Sequence, residues 1–220
     1  MKTKAIQSFV AATLVIATCT NGRAETILFE SATLGLNGMS WQNVFDRVVL
    51  AVNVTNSSYQ GVRFELTQPV VTTQVGGHFV APPNSDSVFF AAIVELDNAI
   101  DFPDSEDLST PDVLGTNLLA FPEPSGEVWA DLELSLNPGW YALVFGSGLF
   151  GASGTGGAIR NSIGIDSPDY IGFQSGFGWG ARVPGKRFVI KGTIVPEPTS
   201  FVLAFSASLF LLAQKRSHRI

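Results

Sequence analysis

The chain has 220 residues, 45% of them hydrophobic, with 22 glycines and a formal charge of −6. That length suits one ordinary domain, and the apolar content excludes a disordered chain. Residues 25–195 hold 18 acidic and 7 basic side chains, a net of −11 that works against nucleic acid and anionic headgroups as partners. The single cysteine, Cys19, lies near the start, so the body of the chain has neither a disulfide framework nor thiol chemistry.

In chain order, Lys2 and Lys4 form a short positive region ahead of an apolar stretch from Ala5 to Thr20. Gly22 and Ala24 place small residues at −3 and −1 of a cut before Glu25. This predicts a signal peptide over 1–24, removed by signal peptidase between Ala24 and Glu25.

The middle predicts strands. Residues 44–50 permit a helix, but the β-branched run Val48–Val54 favours a strand. Gly61–Thr67 alternates apolar and polar, as a half-buried strand does, and Thr73–Val80 predicts a strand kinked at Gly76-Gly77. Ser87–Leu96 is nearly all apolar, the pattern of a strand buried on both faces. Residues 128–136 alternate, Asn137-Pro138-Gly139 turns and 140–145 returns, which predicts a hairpin. Phe173–Gly180 looks like an aromatic and glycine loop, and Arg187–Val195 like a last strand. Many short strands with frequent turns and no helix beyond about two turns predict an all-β fold. We expect one β-sandwich over 25–195, of jelly-roll type.

The C-terminus has three parts. Val195-Pro196-Glu197-Pro198 comes first, then an apolar run over 201–213, then Lys215, Arg216, His218 and Arg219. The run holds 13 residues. As a helix it reaches roughly 20 Å, short of a hydrocarbon core of about 30 Å. A marginal span over 199–213 suits a transient hold in the membrane, with the basic end on the cytoplasmic side. This order resembles the PEP-CTERM sorting signal of Gram-negative bacteria over 196–220. The resemblance implies that Pro196, Glu197 and Pro198 are recognised by an exosortase, a membrane cysteine protease, which cuts near the motif. It also implies a setting of exopolysaccharide and biofilm matrix.

Candidate chemistry is sparse. Gly146-Ser-Gly-Leu-Phe-Gly151 spells a dinucleotide fingerprint, but the glycine-rich stretch after it cannot start the helix that the fingerprint needs. We expect a mobile loop there instead. Asp101, Asp104, Glu106 and Asp107 crowd hard oxygen ligands into one loop and make it a candidate for structural Ca²⁺, without the EF-hand frame. His78 is the one histidine outside the tail, with no nucleophile elbow or second histidine to partner it. We therefore assign no catalytic residue. Trp129, Trp140 and Trp179 are candidates for stacking on sugar rings, with Trp129 on the polar side of its strand. The expected role is a structural or adhesive component of the cell surface or matrix. The alternatives are a carbohydrate-binding module, which needs an exposed aromatic platform, and a secreted glycan hydrolase, which needs two carboxylates in one cleft.

Overall fold

A computed structural model describes residues 25–46, 50–160 and 164–195. The predicted leader and the PEP-CTERM-like segment lie outside the described residues.

In chain order the elements are β1 (Thr26–Glu30), α1 (Trp41–Asp46), β2 (Ala51–Val54), β3 (Gln60–Leu66), β4 (Val70–Val80), β5 (Val88–Leu96) and β6 (Val113–Ala120). Then follow β7 (Gly126–Asp131), β8 (Ser135–Leu136), β9 (Gly139–Gly146), β10 (Gly156–Ile159), β11 (Asp169–Gln174), β12 (Gly178–Ala181) and β13 (Phe188–Ile194). They form two antiparallel sheets. The first runs β1-β13-β4-β10-β2, with β7 and β8 also on β4, and the second runs β12-β11-β3-β9-β5-β6.

Alternation puts one face of each sheet into a shared core. Val75, Phe79, Phe188 and Ile190 come from the first sheet, and Val62, Phe64, Phe89, Ile93, Leu143 and Phe145 from the second. Phenylalanine rings meet at the centre: Phe79 lies 4.5 Å from Phe89 and 5.0 Å from Phe145, and Phe145 lies 4.8 Å from Phe188. These spacings suit tilted and edge-to-face aromatic pairs.

The outer face of the second sheet is covered as well. Phe90, Ala92, Val94, Ala142 and Val144 carry Leu108 and Phe102 from the acidic loop and Leu149 and Ala152 from the glycine-rich loop. Both faces of β5 are therefore apolar, as the unbroken hydrophobic run predicted. The same cover buries β3 almost throughout, where alternation predicted a half-buried strand. Leu149 and Ala152 are the residues of the glycine-rich loop that join this cover, while Gly148, Phe150, Gly151 and 153–155 stay exposed. Trp41 and Val44 cover part of the first sheet beside Ala51, Val80 and Ile159.

Three other expectations change. Residues 41–46 are helical, with Val44 packed on the sheet, and β2 covers Ala51–Val54 of the expected strand; residues 47–49 lie outside the described residues. Residues 128–136 do not form a hairpin with 140–145. β7 and β8 pair with β4, while β9 pairs with β3 and β5, so Asn137-Pro138-Gly139 carries the chain from one sheet to the other. Residues 173–180 are not a loop: β11 and β12 pair through Phe173 opposite Trp179, with glycines at positive φ at 176 in the turn and at 178 where β12 begins.

β4 continues through Gly76-Gly77 without interruption. A Cβ on Gly76 would stand 2.2 Å from Val128 O, and one on Gly77 would stand 2.4 Å from Arg187 O. The glycines admit close neighbours rather than a kink.

Candidate functional site

Two strand edges frame a groove of about 640 Å³. β1 is the last strand of the first sheet and pairs with β13 alone. β11 starts at Asp169 opposite Arg63, so past Arg63 that side of β3 has no strand partner among the described residues. The groove lies between these edges. Phe29 and Glu30, Phe64 and Glu65, and Trp140 line it, and the turn over 165–169 closes one side. Asp166 and Ser167 in that turn have φ of 53° and 48°, a left-handed conformation that bends the chain sharply into β11.

Arg63 anchors the groove. Its Nη1 donates to Asp169 at 2.5 Å and to Ala99 O at 2.8 Å, and its guanidinium lies 4.3 Å from the Phe102 ring centre. One buried cation thus joins β3, β11 and the acidic loop. Trp140 stands half-buried opposite Glu65, which is exposed.

The other two tryptophans lie elsewhere. Trp129 is half-buried on the outer face of the first sheet, with Lys191 Nζ 3.7 Å from its ring centre. Trp179 packs against Phe173 and Tyr59, and its Nε1 donates to Ser105 O at 3.0 Å. The three do not form one platform.

Among the described residues, no three His, Cys, Asp or Glu side chains are placed to hold a metal ion together. The acidic loop uses its carboxylates locally. Asp101 accepts from Asp97 N at 2.9 Å, and Asp112 accepts from Asp104 N at 3.0 Å. Hydrogen bonds from Ser109 and Ser105 hold the exposed Asp107 carboxyl below its ordinary value. Asp104 and Glu106 point to solvent. The loop that spacing suggested for Ca²⁺ is braced by its own backbone amides and tied down through Ser105 and Leu108.

His78 lies in β4 and is fully buried. Beside it Arg187 bridges Glu30 and Glu127, donates to Glu127 Oε1 at 2.6 Å and also reaches Ala32 O. Burial raises Glu127, and Lys191 opposes that shift.

Sequence patterns did not single out Arg63, Lys186 or Arg187 as buried. Arg63 and Arg187 alternate with core residues and are enclosed by the acidic loop and the neighbouring strands, whereas Lys186 is in register with Phe188 and is enclosed by Gln60 and Tyr170.

No family model matches the chain, and no curated protein matches it. Among solved structures, a chain from the crystal structure of the T13 IBDV viral particle aligns with 88% of this chain, at 9% identity and a TM-score of 0.26. The chain spans 45% of that protein's length.

Proposed function

We propose that this is an exported bacterial protein, cut by signal peptidase and an exosortase, that serves as a structural or adhesive component of the cell surface or exopolysaccharide matrix. The sorting part rests on the Pro196-Glu197-Pro198 motif, the apolar run and the basic end. The structural part rests on one observation: Trp179 and the acidic loop, two of the leading candidates for a site, are joined as the cover of the second sheet through Trp179 Nε1 and Ser105 O. Side chains committed in that way stiffen a domain. We further take the two sheets to be connected as a jelly roll, a reading favoured by the crossing at 137–139.

The test is the intact mass of the mature protein from fractionated native cells, beside a variant carrying Pro196→Ala, Glu197→Ala and Pro198→Ala. The native protein is expected to begin at Glu25 and to lack the 201–220 tail, while the variant keeps its tail and stays in the membrane. Equal retention of the tail in both would make the segment a plain anchor and remove the sorting reading.

A second reading, a carbohydrate-binding module, is favoured by the groove, where half-buried Trp140 stands beside exposed Glu65. An apolar ring face next to a hydrogen-bond acceptor suits a pyranose. If it holds, Trp140→Ala weakens binding to a glycan panel about tenfold or more, whereas Trp129→Ala leaves it unchanged. Equal behaviour of the two variants rejects the groove as the sugar site.

A further inference from the structure

The Gly146-Ser-Gly-Leu-Phe-Gly151 stretch opens no helix, and instead shapes one wall of a pocket. The loop between β9 and β10 is fixed at several points. Leu149 and Ala152 pack on the outer face of the second sheet, and the Phe150 ring meets Phe90 edge-on at 5.2 Å. Gly148 N donates to Ala152 O at 3.0 Å, and Val88 N donates to Ser153 O at 3.0 Å. Ser147 N donates to Thr55 O at 3.2 Å, which ties the loop to the turn between β2 and β3. Gly148 permits that approach, since an added Cβ would stand 2.7 Å from Asn56 Cβ. Phe150, with φ of 52°, holds a left-handed conformation that a side chain rarely adopts.

Between this loop and the turn lies a cavity of about 290 Å³. Its side chains are Asn56, Ser147, Ala152, Ser153 and Thr155. None is charged, in a domain that carries 18 acidic and 7 basic side chains, and Ala152 is the one apolar side chain among them. Asn56 and residues 153–155 are exposed. Ser147 is fully buried, and its Oγ has no hydrogen-bond partner among the described residues. A serine hydroxyl offers one donor and two acceptor sites, and leaving them unmade away from water is costly.

A second hollow, of about 420 Å³, adjoins the same turn. It is lined mainly by Asn53, Thr55, Ser57, Ser58, Gln174 and Ser175, again without a charge. Ser175 N donates to Ser57 O at 2.9 Å and braces the turn against the end of β11. Asn56 lines the first hollow and Thr55, Ser57 and Ser58 the second, so one short turn serves as wall to both.

We propose that the Ser147 pocket holds one residue of a neutral glycan and that the second hollow takes the next. Small-ligand pockets are ordinarily lined by apolar and aromatic side chains. Here hydroxyls and amides replace them, so the ligand that fits is rich in hydroxyls and poor in apolar surface. A carboxylate or an amine would lose its water and meet no opposite charge. A sugar hydroxyl can both donate to Ser147 Oγ and accept from it. The net charge of −11 further opposes an acidic polymer. The anchored loop presents the pocket already formed, which lowers the entropic cost of binding. The site depends neither on how the protein is sorted nor on the groove at Trp140.

The test is ligand-observed NMR with thermal shift on the purified full-length chain. The probes are glucose, galactose, mannose and their disaccharides, with glucosamine and galacturonate as charged counterparts, at millimolar concentration and matched ionic strength. At least one neutral sugar is expected to bind saturably, with its charged counterpart weaker by about tenfold or more. Ser147→Ala weakens that binding about tenfold, the worth of one well-placed hydrogen bond. The same substitution leaves the Tm of the free protein unchanged or raises it, because it removes an unpaired buried hydroxyl. Ser153→Trp, at an exposed position on the rim, closes the mouth and abolishes binding.

A disaccharide bound more tightly than its monosaccharides supports the second hollow, and equal affinity removes that hollow from the site. The proposal is overturned if no neutral sugar binds, or if the charged counterparts bind as well. It is overturned equally if Ser147→Ala and Ser153→Trp bind as the wild type does, or if binding is lost in Trp140→Ala and kept in Ser147→Ala, which would put the sugar in the groove. A lowered Tm in Ser147→Ala would show a hydroxyl satisfied by resident water and would overturn it too.

Discussion

Phe79→Ala is expected to lower the unfolding free energy by about 4 kcal/mol, the middle of the range for a fully buried phenylalanine. Phe79 lies at the meeting point of both sheets. Its ring is 4.5 Å from Phe89, 5.0 Å from Phe145, 6.0 Å from Phe188 and 6.1 Å from Phe121. Truncation removes apolar burial and leaves a cavity whose walls belong to strands of two sheets. Such walls collapse poorly, since each strand is held by its own ladder. A typical domain has about 5–15 kcal/mol in total, so the variant is close to the limit of folding. Urea unfolding followed by tryptophan fluorescence reads the change as a drop in midpoint at constant slope. Phe177→Ala is the control: Phe177 is 82% exposed, and its loss is expected to change stability by about 0.5 kcal/mol or less. A Phe79→Ala loss below about 1 kcal/mol would mean that the rings do not form a common core.

Lys186→Met is expected to stabilise the protein in chloride buffer at neutral pH. Burial, with help from Arg182 and Arg160, takes Lys186 down to about 7, against about 10.4 for a lysine in the unfolded chain. Between these values the unfolded state binds more protons than the folded one, so stability rises with pH at up to about 1.4 kcal/mol per unit. Below pH 7 this group causes no further loss. At pH 7 the buried lysine costs the native state roughly 4 kcal/mol. Methionine of similar shape removes that cost but strands the acceptor of buried Gln60, at about 1–3 kcal/mol, while Val183 is exposed to water, which leaves a net gain of about 2 kcal/mol. The signature is the pH profile. The wild type gains about 3 kcal/mol from pH 7 to 9.5, and the variant is flat. The window stops there because burial raises Tyr59, Tyr141 and Tyr170, and the stability they lend is lost above pH 10. A wild-type profile as flat as the variant's would show that Lys186 titrates normally.

The strand assignments show where local pattern suffices. Ser87–Leu96 was recognisable as a doubly buried strand because both of its faces are apolar, and β5 is covered on both sides. The alternation in 128–136 correctly separated inner from outer side chains, as Ala130, Leu132 and Leu136 are buried. It misdirected the pairing. A turn of Asn-Pro-Gly between two alternating runs has the same local form whether the chain folds back or crosses to the facing sheet. The glycine pairs failed in a similar way. Gly76-Gly77 marks a place that needs close approach, and only the positions of Val128 O and Arg187 O reveal what approaches.

The candidate sites divide along the same line. The acidic loop and the tryptophans were visible as residue types, but their partners were not. Asp101, Asp104, Glu106 and Asp107 are neighbours in sequence, and extended or turning backbone points such neighbours apart. Trp129 is set apart from Trp140 and Trp179 because β7 belongs to one sheet and β9 and β12 belong to the other, where both tryptophans pack on the outer cluster.

The sequence by itself determined the all-β class, the acidic surface, the doubly apolar β5 and the resemblance at the C-terminus. Each of these depends on composition or on short-range order, which the chain carries wherever it folds. Tertiary structure alone decided that β7 and β8 join β4, that the acidic loop covers the second sheet, and that Arg63, Lys186 and Arg187 are enclosed. Those outcomes depend on contacts between residues tens of positions apart. A buried cation differs from an exposed one by what packs over it, and that information is held by the covering segment rather than by the cation or its neighbours in sequence.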